Sequence, residues 1–108
     1  MKILLLCNAG MSTSLLVEKM KKEAQNCNDD VFIEAYPVED LDKVADNFDV
    51  ILLGPQVKFK EKMISEVCNA HKKPFAFIPL HVYGLVDGKK ALELALDLIK
   101  KKGDLSGS

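Results

Sequence analysis

The chain opens on a continuous apolar run, Ile3-Leu4-Leu5-Leu6-Cys7, that stops at a glycine-containing turn, Asn8-Ala9-Gly10. Apolar residues at both odd and even positions leave no face for water, so a strand over Lys2 to Cys7 must be covered on both sides. The pattern returns from Asp49 to Gly54 around Val50-Ile51-Leu52-Leu53. Two more segments, Val31 to Tyr36 and Phe75 to Ile78, are rich in β-branched and aromatic residues and stop at Pro37 and Pro79.

Between these strands the period changes to that of a helix. From Ser12 to Asn26, Leu16, Met20 and Ala24 recur at four-residue spacing opposite a charged face, and Ser12-Thr13-Ser14 supplies residues that favour N-caps. A short acidic helix is expected over Val38 to Asn47. A longer one is expected over Val57 to His71, entered through Pro55, with Val57, Met63, Ile64, Val67 and Cys68 inward. A last helix, Asp87 to Lys102, ends in three lysines that suit a helix C-terminus. Strict alternation predicts an α/β domain: a four-stranded parallel sheet in the order 2-1-3-4 with helices on both faces. Ligands of such sheets bind beyond the carboxyl ends of the strands where strand order reverses, here between strands one and three. That topology brings Cys7, Gly54-Pro55-Gln56 and the loop Pro79 to Gly88 to one edge.

At 108 residues there is material for one core, which implies a single domain over 1–102 and a flexible tail over 103–108. A net charge of −1 gives no bias toward nucleic acid. No segment is long and apolar enough for membrane insertion or export, so the cytoplasm is the expected compartment. The three cysteines, Cys7, Cys27 and Cys68, form no CxxC pair and have no histidine at metal-ligand spacing, so neither a disulfide framework nor a metal is expected. No cofactor motif is present.

Cys7 stands apart because of its loop. A cysteine that ends a strand just before a helix meets unpaired backbone N–H groups and the positive end of the helix dipole, which stabilise a thiolate and any oxyanion it carries. Gly10 permits close approach of the backbone, and Ser12, Thr13 and Ser14 can add hydroxyl donors. Cys27 and Cys68 have no such setting and read as structural. A cysteine phosphatase would need Cys-x5-Arg to clasp the phosphoryl oxygens. Here Thr13 takes that place, and all 15 basic residues are lysine. A cradle without its clamp fits a phosphocysteine that is held for a second acceptor more than one that is hydrolysed. A dithiol redox site is disfavoured because position 10 is glycine, a receiver-type site because Leu53-Gly54 stands where strand three would end in an aspartate, and nucleotide binding because GxxxxGK[ST] is absent.

The opening Lys2 to Leu16, with Leu53-Gly54-Pro55-Gln56-Val57, Ile78-Pro79, Tyr83-Gly84 and Asp87-Gly88, resembles the IIB component of the bacterial sugar phosphotransferase system, lactose/cellobiose/chitobiose class. The resemblance runs from Met1 to about Lys102. It implies a phosphotransferase component in which Cys7 is the nucleophile and Asn8, Ala9, Gly10, Met11, Ser12, Thr13 and Ser14 bind the phosphoryl oxygens. The donor would be a histidine on a IIA partner, and the acceptor a sugar held by a IIC membrane permease, a disaccharide such as cellobiose, chitobiose or lactose. Gln56, Tyr83 and Asp87 are accessory candidates; Asp87 serves equally well as an N-cap, and His81 reads as a solvent-exposed or structural residue. A transient docking face around Cys7 is expected to be apolar, with Met11 and Val57 as contacts, and the chain to be a monomer. The alternative is a regulatory or phosphate-sensing module of the same fold with a modifiable Cys7.

Overall fold

The computed structural model describes residues 2–7, 12–26 and 31–106. Four strands, β1 (Lys2–Cys7), β2 (Phe32–Pro37), β3 (Val50–Leu53) and β4 (Phe75–Phe77), form one sheet in the order β2-β1-β3-β4. Every pairing is parallel, with Ile3 opposite Val50 and Leu6 opposite Leu53 in the central pair. The run of leucines forces this arrangement. Ile3 to Leu6 and Val50 to Leu53 are shut off from water, and each such side chain contributes roughly 1.5–3 kcal/mol by leaving it.

The two parities of β1 feed two separate cores. Ile3 and Leu5 join Leu16, Val17 and Met20 of α1 (Ser12–Asn26), while Leu4 and Leu6 face Leu41, Ile64 and Cys68. The second layer comes from α2 (Leu41–Val44), flanked by 3-10 turns at Val38–Asp40 and Ala45–Asn47, and from α3 (Glu61–Ala70). On the first face α4 (Leu80–Gly84) and α5 (Gly88–Ser106) complete the cover. α5 lies so close to α1 that a Cβ on Gly88 would fall 2.5 Å from the carbonyl carbon of Lys19 and 2.7 Å from the backbone nitrogen of Met20. Only glycine fits this crossing.

Several boundaries differ from those read in the sequence: β4 stops at Phe77, and the helix expected over Val38 to Asn47 is α-helical only from Leu41 to Val44. The expected helix from Val57 starts as a 3-10 stretch, Pro55–Lys60, in which the Val57 N–H reaches back three residues to the Gly54 carbonyl. The α-helical period therefore begins at Glu61, and Met63, counted from the wrong start, is 40% exposed while Ile64 and Cys68 point inward. Strand two runs from Phe32 through Pro37, because its last pairing, with Cys7, lies at the carboxyl edge of the sheet. Leu80–Gly84, expected as loop, is a helix too short to show a period. The last helix continues past Lys102 to Ser106.

Two helices end without the glycine that usually marks such a stop. In α3 the Lys73 N–H bonds the Cys68 carbonyl and the Lys72 N–H bonds Asn69, and in α4 the Asp87 N–H bonds Val82 and the Val86 N–H bonds Tyr83. Both are Schellman closures. Their left-handed positions are Lys72 (φ 58°) and Val86 (φ 52°), and for a β-branched valine that conformation is strained.

At the C-terminus of α3, His71 places Nδ1 2.7 Å from Asp46 and Nε2 2.9 Å from Asp42. With a carboxylate at each nitrogen, both ring nitrogens donate when the imidazole is protonated. These hydrogen bonds raise the His71 pKa above its ordinary value of 6.5, and the helix C-terminus favours the cation too. The stabilisation is complete below pH 6.5 and is lost as pH rises through the raised folded-state value.

Two outcomes follow for urea unfolding. Gly88→Ala lowers stability by about 1–3 kcal/mol, because α5 must back away from α1. The stability gap between the native chain and His71→Ala is widest near pH 5.5 and shrinks toward pH 9; a gap independent of pH would show that the imidazole is not clamped as an imidazolium.

Candidate active site at the carboxyl edge of the sheet

Cys7 is the last residue of β1, the strand at the centre of the reversal in strand order, with β2 on one side and β3 on the other. Side chains alternate along a strand, so Cys7 follows Ile3 and Leu5 to the face covered by α1, α4 and α5. The next described residue, Ser12, begins α1, so four residues of the chain separate Cys7 from a fifteen-residue helix. Asn8, Ala9, Gly10 and Met11 lie outside the described residues, as do the side chains of Ser12, Thr13 and Ser14; Cys27 does too.

Cys7 is recessed, with 5% of its surface exposed, whereas a surface thiol is what the transfer chemistry leads one to expect. The reason is its position: it is still paired with Pro37 in the sheet and lies beside the first core. A reacting group has to reach down to the sulfur from the edge.

The neighbouring strand supplies the other side of the site. The Gly54 N–H donates to the Leu6 carbonyl at 2.9 Å, extending the β1–β3 ladder to the level of Cys7. Gly54 is buried, and the place of its missing side chain is taken from two directions. A Cβ there would run into Oε1 of Gln56 and come within 3.4 Å of Cε2 of Tyr83. Tyr83 is itself buried in the core on the Cys7 face. The chain reaches it from β4, where the Ile78 N–H bonds the Leu53 carbonyl and the Tyr83 N–H bonds Pro79. The structure therefore brings Cys7, Gly54, Gln56 and Tyr83 to one place.

Asp87 is differently employed. Its carboxylate accepts from the Lys90 N–H at 3.1 Å and its carbonyl from the Ala91 N–H, which makes it the N-cap of α5. The neighbouring Gly88 packs at Lys19 and Met20, about 10 Å along α1 from Ser12 at the helical rise. His81 is exposed. Cys68 is fully buried among apolar side chains, and burial pushes its thiol up to about 11. Among the described residues no group of three or more His, Cys, Asp or Glu could hold a metal ion, and no helix is long and apolar enough to cross a membrane.

The apolar side chains left exposed at this end of the molecule were not foreseen. Val57, expected as a docking contact, is buried in the second core, because the 3-10 stretch turns it under the sheet. Phe59, two residues on, is 74% exposed, and Leu80 and Leu85, which bracket α4, are 74% and 78% exposed. A sequence signal for these residues existed only in hindsight: each sits in a connection leaving the carboxyl end of a strand.

Comparison with known proteins places the chain in a family. The family model described as PTS system, Lactose/Cellobiose specific IIB subunit matches residues 2–94. The chain belongs to that family. It is 39% identical over 98 residues to the oligo-beta-mannoside-specific EIIB component of Bacillus subtilis, covering 91% of this chain and 95% of that protein. It is 38% identical over 102 residues to the cellobiose-specific EIIB component of Lactococcus lactis, covering 90% and 94%. The solution structure of a cellobiose-specific phosphotransferase IIB component from Borrelia burgdorferi superposes with a TM-score of 0.81 at 41% identity over 94% of each chain. A lactose-specific IIB domain from Streptococcus pneumoniae gives the same TM-score at 18% identity over 91% and 96% of the two chains, which speaks for the fold alone. The chain is thus a IIB component of a sugar phosphotransferase system, and its four-stranded 2-1-3-4 sheet is the family's fold.

The contrast between Cys68 and the rest of the site gives a simple test. Iodoacetamide at pH 8 leaves Cys68 unmodified in the folded chain, by peptide mapping, and modifies it once urea is added. Labelling of Cys68 at the same rate in both states would contradict its burial.

Proposed function

We infer that this IIB chain carries a phosphoryl group on the sulfur of Cys7, taking it from a phosphohistidine of a IIA partner and passing it to a sugar bound by a IIC permease. The supporting observation is positional. Cys7 ends the central strand at the reversal of strand order, just before the N-terminus of α1, where backbone N–H groups and the helix dipole favour an anion.

In the first step the Cys7 thiolate attacks phosphorus in line, forming the S–P bond as the P–N bond breaks, and the donor imidazole keeps the electron pair. In the second step a sugar hydroxyl attacks the same phosphorus, losing its proton to a base, and the S–P bond breaks to return the thiolate. The loop Asn8 to Met11 and the start of α1 at Ser12, Thr13 and Ser14 hold the three phosphoryl oxygens. Without any arginine to stabilise attack by water, the phosphocysteine survives long enough to be handed on. Neither step calls for a cofactor.

Both partners must reach a recessed sulfur and then leave. Leu80, Leu85 and Phe59 provide an apolar rim at the carboxyl edge suited to brief contacts, and the chain acts as a monomer in the cytoplasm beside its permease. Relatives of nearly equal similarity carry the names of different sugars: oligo-beta-mannoside, cellobiose and galactose. Sugar choice therefore rests with the permease. The substrate proposed here is a disaccharide of the cellobiose, chitobiose or lactose type. No feature of the structure favours the regulatory alternative over the carrier.

The deciding experiment is intact-mass measurement after incubation with phosphoenolpyruvate, the general phosphotransferase proteins and a IIA partner. The native chain gains one phosphate and Cys7→Ser gains none. A native chain that stays unmodified beside a fully phosphorylated IIA would refute the carrier role.

A further inference from the structure

The missing side chain of Gly54 leaves a notch at the end of β3, beside the position of Cys7 on β1. The extended backbone of Gly54 (φ −65°, ψ 151°) turns the notch to the same sheet face as Cys7 and Tyr83. Adjacent strands are roughly 5 Å apart, so whatever fills the notch is one strand spacing from the sulfur's own strand. The occupant is unexpected. Gln56 is an exposed residue of a 3-10 turn, yet its amide folds back over Gly54, with Oε1 the atom nearest the glycine and the Tyr83 ring against the same point.

We propose that the Gln56 carboxamide, seated in the Gly54 notch and backed by Tyr83, donates a hydrogen bond to the oxyanion carried by Cys7. The proposal rests on the carrier role of Cys7. A carboxamide seated in the notch keeps two N–H donors on its nitrogen to offer an anion. It makes and breaks no covalent bond. Its chemistry suits a chain that has no arginine: a neutral amide grips one phosphoryl oxygen without the positive charge that would also stabilise attack by water. Gly54 is then required for a reason other than backbone freedom, since any Cβ would evict the amide.

The test measures the equilibrium of phosphoryl exchange between a phosphorylated IIA partner and the full-length chain, read as the phosphorylated fraction by intact mass. Gln56→Ala lowers the equilibrium constant about tenfold, the worth of one hydrogen bond to a charged group. Gln56→Glu lowers it further, because a carboxylate repels the phosphoryl oxygens. Gly54→Ala keeps the glutamine but displaces its amide, and lowers the constant by a similar factor to Gln56→Ala. In the phosphorylated native chain one Gln56 side-chain amide proton moves downfield in NMR spectra, and in Gly54→Ala it does not. Equal constants for the native chain and both Gln56 variants, with an unmoved amide proton, would overturn the proposal while leaving the carrier role intact. A native chain that takes no phosphate would overturn both.

Discussion

The pairing of β1 with β3 is the constraint on which the rest depends. Each strand is apolar at both parities, so neither is tolerable unless helices cover both of its faces, and two such strands side by side form the wall between two cores. The last bond of that pairing, from Gly54 N–H to the Leu6 carbonyl, fixes where the chain leaves the sheet on both strands. It sets Cys7 and the Gly54 notch at one level. Burial of the leucine run stabilises that wall, and the proposed chemistry inherits a rigid floor.

Above that floor the site is assembled from three connections. The first leads from β1 into α1, the second from β3 into the 3-10 stretch carrying Gln56, and the third from β4 through α4 to Asp87. The third is strained, since α4 is closed by a valine in the left-handed region at a cost of order 1–3 kcal/mol. That closure fixes both ends of a short strap: Tyr83 is held inward against the Gly54 position, and Asp87 is delivered to the N-terminus of α5. Gly88 then lets α5 press on α1, which steadies the helix whose N-terminus faces the Cys7 loop.

Much of this was legible in the sequence, and what was not has identifiable causes. Strand order, the switch point and the gathering of Cys7, Gln56 and Tyr83 at one edge follow from period, parity and the topology of parallel sheets. α4 was invisible because five residues show no period, and its closing residue is valine where glycine is the usual sign. Met63 was misplaced inward, since a 3-10 stretch advances the chain by three residues per turn and shifts the phase of everything after it; Val57 is inward as expected and so is no docking contact. Asp87 was undecided between cap and site because an N-cap and an anion-site residue look alike in sequence; its bond to the Lys90 N–H shows the cap. The His71 clamp was missed entirely: its two aspartates precede it by 25 and 29 residues, and no local pattern joins them. The role proposed for Gln56 rests on a side chain folding back over Gly54, which no spacing rule contains.

The proposed carrier role comes down to a single chemical statement, that phosphorus is bonded to sulfur during turnover. The most direct measurement is the 31P NMR spectrum of the chain after incubation with phosphoenolpyruvate and its phosphotransferase partners. The account predicts one protein-bound resonance in the thiophosphate region, well downfield of any phosphohistidine, which disappears when the permease and its sugar are added. A resonance confined to the phosphohistidine region, with none from an S–P bond, would contradict it.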